Sequence, residues 1–235
     1  MYKIMTPGPT QVAENVRLAR SRECTNPDLD ESFVEFYKET CEEISRLLHT
    51  DNETLILGGE GILGLEAACA SMTEPGDRVL VLDNGIYGKG FADFVSMYGG
   101  CPELYSRDYR ETLDVQELEN FLKEHHNYKY ATVVHGDTPS GMLNDVSAIC
   151  PLLKKYGIMT GSQKVVSAPP GLTFVVISDD AKKAMAERKT QIASFYANLT
   201  TFAHYYEEKW FPYTMPISDI YGLRAAIDNI AADPD

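Results

Sequence analysis

Basic side chains are scarce in this sequence: 21 Lys and Arg stand against 35 Asp and Glu among 235 residues, a formal charge of −14. Nucleic-acid binding is driven by clustered Lys and Arg that release counterions, so the balance argues against a polyanion partner. Cysteines form no framework either. Cys24, Cys41, Cys69, Cys101 and Cys150 are odd in number and widely spaced, with no CxxC pair, which argues against a disulfide scaffold and against a zinc site. No apolar run approaches the roughly 20 residues that a membrane helix needs, and "MYKIMTPGPT" lacks the apolar core of a signal peptide. The expectation is a cytoplasmic protein with reduced thiols that binds neither nucleic acid nor membrane. What is present is globular. With 44% apolar and 24% charged residues, the chain suits one domain, or one large domain with a fragment of a second.

Periodicity gives the fold class. From residue 31, "ESFVEFYKETCEEISRLLHT" sets Phe33, Phe36, Tyr37, Ile44, Leu47 and Leu48 on one helical stripe. Beyond it, the short apolar runs "TLIL" (54–57), "RVLVL" (78–82), "YATVV" (130–134) and "LTFVVI" (172–177) read as buried strands, with helical segments such as "ILGLEAACASM" and "DVQELENFLKEH" between them. This alternation predicts an α/β fold with a mostly parallel sheet covered on both faces. "EPGD" (74–77) and "YGG" (98–100) are turn signals, and Asp114 followed by Glu117 is a capping-box pattern. The final "SDIYGLRAAIDNIAADPD" reads as one more helix.

The loop in "LILGGEGILGLEAA" admits two functional readings. Gly59, Gly61 and Gly64 satisfy G-x-G-x-x-G between a strand and a helix, and Asp83 ends the next strand, where a dinucleotide fold places its ribose-binding acid. A tight turn that merely starts a helix is the plain alternative. Either functional reading shares one physical feature: a helix that begins near Gly61 points its positive end and free N–H groups at a phosphate.

Further segments favour a different owner for that phosphate. "TPGPT" (6–10), the loop at 58–67, "NGIYG" (84–88), "HGDTPSG" (135–141), "GSQK" (161–164) and "SAPPG" (167–171) follow one another in an order that resembles the class V aminotransferases of the fold type I pyridoxal-phosphate enzymes, near the alanine–glyoxylate and serine–pyruvate group. The resemblance implies a three-layer α/β/α large domain that binds pyridoxal 5'-phosphate, here over 31–215, preceded by an N-terminal arm over 1–30 and followed by the start of an interdomain helix over 216–235. It implies that Lys164 holds the cofactor aldehyde as a Schiff base and shuttles the substrate proton, a role that needs an amine kept from water so that it stays neutral. A surface lysine is the plain alternative. Glu60, Gly61 and Ile62 fall where the family grips the phosphate, although a glutamate and an isoleucine replace the usual hydroxyl residues. Tyr87 matches the aromatic residue that stacks on the ring, Thr138 and Gln163 match hydrogen-bonding partners of the ring face and phenolic oxygen, and Thr214 matches a hydroxyl supplied across a homodimer. The activity implied is transfer of an amino group from a small amino acid such as alanine or serine to a 2-oxo acid such as glyoxylate or pyruvate.

The pattern breaks at one junction. The family places a strand ending in an acid, a helix and another strand between the segments that correspond to "YGIMT" and "GSQK", whereas here Gly161 follows Thr160 directly. The acid so lost is the one that pairs with the pyridinium nitrogen. The C-terminal domain with its carboxylate-binding arginine is also expected beyond Asp235. Three readings therefore stay open: an aminotransferase, a non-catalytic relative that binds cofactor or a full-length subunit, and a nicotinamide-dependent dehydrogenase built on Gly59, Gly61, Gly64 and Asp83. A related lyase or cysteine desulfurase is less well served, since its nucleophilic cysteine has no evident match.

Overall fold

The computed structural model describes residues 3–6, 8–161 and 170–233. In chain order these form α1 (Glu14–Ala19), α2 (Glu31–Leu47), β1 (Glu53–Leu57), α3 (Gly61–Met72), β2 (Arg78–Asp83), α4 (Ile86–Met97), β3 (Cys101–Ser106), α5 (Val115–Glu124), β4 (Tyr130–Thr132), β5 (Gly136–Asp137), β6 (Met142–Leu143), α6 (Val146–Lys155), β7 (Met159–Gly161), β8 (Thr173–Ile177), α7 (Asp179–Ala186) and α8 (Ile217–Ala232). Two compact units share them. One comprises the described residues of Met1–Gly64, Val165–Asp179 and Leu199–Asp235, the other those of Leu65–Lys164 and Asp180–Asn198. No helix among the described residues is long and apolar enough to cross a membrane.

In the first unit, α2 forms where the stripe predicts it. The Asp30 carboxylate caps it by accepting from the Ser32 N–H at 2.9 Å, and Phe33, Val34, Tyr37, Cys41 and Ile44 are buried. Leu48, expected on the stripe, lies just past the last turn and stays exposed. Fully burying a large apolar side chain contributes roughly 1.5–3 kcal/mol, so this face is what anchors the helix. The Tyr37 hydroxyl does more than pack: it donates to the Ile56 carbonyl and accepts from the Ile56 N–H, each at 2.8 Å. Strand β1 pairs with β8 in antiparallel register, Ile56 opposite Phe174. Tyr37 thus satisfies the backbone groups that β1 would otherwise leave open on its other edge. The ring of Tyr37 meets Phe211 and Tyr205 edge-on, with centroids 4.9 and 5.2 Å away.

The second unit is the three-layer part. Its sheet has the order β3-β2-β4-β7, and every described pairing in it is parallel. Alternation along β2 sends Leu80 and Leu82 to a core with Leu118 and Leu122 of α5 and Ile149 and Leu153 of α6. Val79 and Val81 go to the opposite core, with Cys69 of α3 and Phe91 and Val95 of α4. A sheet covered on both faces is the expected α/β/α architecture. Gly76 and Gly99 take positive φ in the two predicted turns, and the Asp114 carboxylate accepts from the Glu117 N–H at 2.8 Å to start α5.

Two details differ from the sequence reading. Strand β3, "CPELYS", has only Tyr105 buried, so its pattern carries no apolar run; a proline and a glutamate are tolerated because β3 is an edge strand. The run at 172–177 does form a strand, but β8 runs antiparallel to β1 and takes no place in the described parallel ladder.

Candidate functional site

Predicted site residues fall in both units. In the first, β1 leads through Gly58, Gly59 and Glu60 into α3. Here the two loop glycines differ. A Cβ at Gly59 would lie 2.5 Å from Leu63 Cδ2, whereas at Gly61 nothing lies within 4 Å. The Leu63 N–H donates to the Glu60 carbonyl at 2.9 Å, and no backbone acceptor among the described residues faces the N–H groups of Gly61 and Ile62. First-turn donors of this kind carry the positive end of the helix dipole, which favours an anion such as a phosphate. Glu60 is exposed, so its carboxylate is free to stay in solvent, and Ile62 is 39% exposed. Thr214, also exposed, donates its hydroxyl to Asp28 Oδ2 at 3.2 Å within the chain.

In the second unit the site residues gather at the carboxyl ends of the parallel strands, the usual place for a ligand in an open α/β sheet. Strand β2 ends at Asp83, and Tyr87 lies in the first turn of α4, half-buried. Thr138 follows β5 at an exposed turn. Between the two lies a residue that the sequence reading passed over. Asp137 is 2% exposed; its Oδ1 accepts from the Tyr87 N–H at 3.3 Å, and its Oδ2 accepts from the Ser140 N–H at 3.1 Å and hydroxyl at 2.7 Å.

A second buried network braces the same strand ends. Asn84 and Asn144 exchange amide hydrogen bonds, the Leu113 N–H donates to Asn144 Oδ1 at 3.1 Å, and Asn144 Nδ2 donates to the Val134 carbonyl at 2.8 Å. His135 Nδ1 lies 2.8 Å from the Asn144 carbonyl oxygen. Only the Asp137–Ser140 contact has a local signature: in "HGDTPSG" an aspartate three residues before a serine can cap the turn between them.

Asp83 does not act as a ribose acid. It is 4% exposed and accepts from the Ser106 hydroxyl at 2.8 Å. Burial, and then the Asp83 carboxylate, raise the pKa of the nearby Tyr109 hydroxyl. The dinucleotide reading also needs β1 and β2 as parallel neighbours. Instead β1 pairs antiparallel with β8, and β2 lies between β3 and β4. The glycine spacing marks a strand-to-helix turn, set in a strand order that is not that of a dinucleotide fold.

For pyridoxal phosphate, then, the described residues fit in part. Within the first unit the first-turn N–H groups of α3 suit a phosphate, and within the second Tyr87 and Thr138 stand at strand ends. The buried strand-end acid Asp137 has both oxygens engaged by the protein, so it is not offered to a ring nitrogen. Gln163 and Lys164 lie outside the described residues.

No family model matches the chain. It is 32% identical over 233 residues to the pyridoxamine–pyruvate transaminase of Mesorhizobium japonicum, covering 86% of this chain and 58% of that protein. It is 27% identical to the alanine–glyoxylate aminotransferase of Callithrix jacchus, covering 95% of this chain and 61% of that one. The chain thus spans about three fifths of the length of these relatives. Among solved structures, the pyridoxamine–pyruvate aminotransferase of Mesorhizobium loti superposes with a TM-score of 0.90 at 29% identity, over 99% of this chain and 66% of that one. The ureidoglycine–glyoxylate aminotransferase of Bacillus subtilis shares the fold, with a TM-score of 0.93 at 23% identity over 99% and 67% of the two chains. These homologues and structural neighbours are class V aminotransferases, fold type I enzymes that depend on pyridoxal phosphate, and the chain is similar to them over nearly its whole length.

Proposed function

We propose that the protein binds pyridoxal 5'-phosphate and transfers an amino group from a small amino acid, alanine or serine being the expected donors, to a 2-oxo acid such as glyoxylate or pyruvate. The observation that carries this reading is the 27% identity to an alanine–glyoxylate aminotransferase across 95% of the chain, and the 32% identity to a pyridoxamine–pyruvate transaminase supports pyruvate as an acceptor. When bound, the cofactor supplies a carbonyl that accepts and returns the amino group. In this reading Lys164 Nζ holds the cofactor and moves the proton. The first-turn N–H groups at Gly61 and Ile62 bind the phosphate, with Glu60 turned to solvent. Tyr87 covers the ring face, and Thr138 and Gln163 orient it. Thr214 serves the second copy of a homodimer. The large domain over 31–215, with the arm at 1–30 and the helix from 216, is the unit that does this, and its setting is the cytoplasm. All five cysteines are free, which suits a reducing compartment.

Borohydride reduction of the protein incubated with pyridoxal phosphate tests the reading. Peptide mass spectrometry should find the reduced adduct on Lys164, and the Lys164→Ala variant should lose the visible absorbance. An adduct spread over surface lysines, with no band lost in the variant, would overturn it.

A second reading, cofactor binding without turnover, is favoured by the engagement of Asp137. Its carboxylate is held by Tyr87 and Ser140, and the resemblance locates the ring-nitrogen acid in the segment absent between Thr160 and Gly161. Single-turnover assays with alanine and with pyridoxamine separate the two. Absorbance that fails to change with either donor selects binding alone.

A further inference from the structure

We propose that Asp137 is a positioning residue: its buried carboxylate joins the start of α4 to the turn after β5, and so fixes Tyr87 relative to Thr138. The inference rests on the reading that those two residues face the cofactor. It names the group that sets their spacing.

The geometry is specific. One carboxylate oxygen takes the Tyr87 N–H at the amino end of α4, where a negative charge meets the positive end of the helix dipole. The other takes both the N–H and the hydroxyl of Ser140, and the Asp137 carbonyl accepts from the Gly141 N–H at 2.8 Å, closing the turn that carries Thr138. Gly85, the residue flanking α4, has no side chain where Asp137 sits. A Cβ there would lie 2.5 Å from Asp137 Cγ and 2.7 and 2.8 Å from its two oxygens. Helix start and turn therefore interlock through one side chain. Asparagine in its place keeps the shape but lacks the charge and turns one acceptor into a donor. Alanine removes the carboxylate that the Tyr87 N–H and the Ser140 N–H and hydroxyl meet.

Asp114 provides the control. It caps α5 in the same unit by the same chemistry, accepting from the Glu117 N–H, and touches neither Tyr87 nor Thr138. The experiment compares Asp137→Asn, Asp137→Ala, Ser140→Ala and Asp114→Ala by thermal unfolding, by titration with pyridoxal phosphate and by amide hydrogen exchange resolved at Tyr87 and at 138–141. The expected result is that both Asp137 variants weaken cofactor binding about tenfold and speed exchange at the two segments together. Ser140→Ala should do so less, and Asp114→Ala should lower the unfolding temperature without changing affinity. If Asp137→Ala unfolds early but binds as tightly as the native chain, the residue is a structural cap and the proposal fails. Exchange that quickens at 138–141 but not at Tyr87 would also overturn it. A native chain that binds no cofactor overturns the functional reading and, with it, the cofactor-positioning role, whereas the exchange measurement still decides whether Asp137 couples the two segments.

Discussion

Asn84 and Asn144 form a reciprocal pair, each amide donating to the other's oxygen at 2.9 Å, inside a region where both residues are almost fully shielded from solvent. Asn144 also ties the backbone at Leu113 and at Val134, so one side chain joins three segments of the second unit. Aspartate at this position replaces the Nδ2 donor by an oxygen facing the Asn84 oxygen and the Val134 carbonyl. Buried acceptors then oppose one another, and a charge enters without a partner. Asn144→Asp is expected to cost about 3 kcal/mol or more at pH 7, with part of the loss recovered on acidification as the carboxyl becomes a donor. Urea denaturation at pH 7 and pH 5 checks this. Equal stability of variant and native chain at pH 7 would show that the pair is not holding the strand ends.

That network marks the limit of what the sequence made legible. The apolar periods of β1, β2 and α2 were visible because burial on one or both faces leaves a direct imprint on residue type. Strand β3 was not, because an edge strand with one buried residue has no such imprint. Gly59, Gly61, Tyr87 and Thr138 could be singled out from motif order. Asp137, Asn84 and Asn144 could not, since their roles arise from contacts over 50 and 60 positions of sequence, and nothing in the type of a polar residue shows which distant group it faces. For the same reason the Gly59–Gly61–Gly64 spacing is ambiguous when taken alone: it encodes a turn, while the identity of the neighbouring strand decides what kind of fold the turn belongs to.

The two glycines of that turn should respond differently to alanine. At Gly59 a methyl group would press on Leu63, with Cδ2 at 2.5 Å and Cβ at 3.1 Å, so Leu63 must move and the expected loss is about 1 kcal/mol. At Gly61 a methyl group enters open space at the first residue of α3, and stability should change by less than about 0.5 kcal/mol. The first turn of α3 is nevertheless the proposed phosphate grip, and a side chain at its first residue restricts the conformations with which the loop can close on an anion. Gly61→Ala should therefore weaken binding of pyridoxal phosphate while leaving the unfolding temperature in place. Parallel measurement of unfolding and cofactor affinity checks the pair, and unchanged affinity in Gly61→Ala would remove that turn from the site.

Tyr37 gives a test in the first unit. Its hydroxyl both donates to and accepts from Ile56 on the edge of β1, and burial pushes its pKa well above the usual phenol range, so it stays a neutral donor at any working pH. Phenylalanine keeps the ring contacts with Phe211 and Tyr205 but leaves a buried N–H and a buried carbonyl without their partner. The expected cost of Tyr37→Phe is about 2 kcal/mol, set by the orphaned backbone groups more than by the lost bonds themselves. Chemical denaturation reads this directly. A loss below about 0.5 kcal/mol, the scale of a surface change, would mean that the edge of β1 finds other partners.

Acid should weaken the second unit through Glu74. Its Oε1 accepts from the N–H groups of Lys189 and Thr190 at 2.7 and 2.9 Å, and its Oε2 accepts from Lys129 Nζ at 3.2 Å. The Lys189 N–H foremost, then Lys129 and Thr190, lower its pKa from the ordinary 4.5 to about 2. A carboxylate whose folded pKa is depressed binds its proton more readily in the unfolded chain. Its stabilising contribution is complete above about pH 4.5 and is lost progressively as the pH falls toward 2. Other depressed acids, Asp108 among them, add to the native slope, so the informative quantity is the difference between two curves. Glu74→Gln should be less stable than the native chain at pH 6, and the gap should narrow as the pH falls below about 4.5, because the glutamine has no proton to gain. Denaturation midpoints for both proteins at pH 6, 4 and 3 provide the comparison. A gap that stays constant across that range would show that the carboxylate titrates alike in the folded and unfolded chains, and that the contacts at Lys189 and Lys129 confer no acid-sensitive stability.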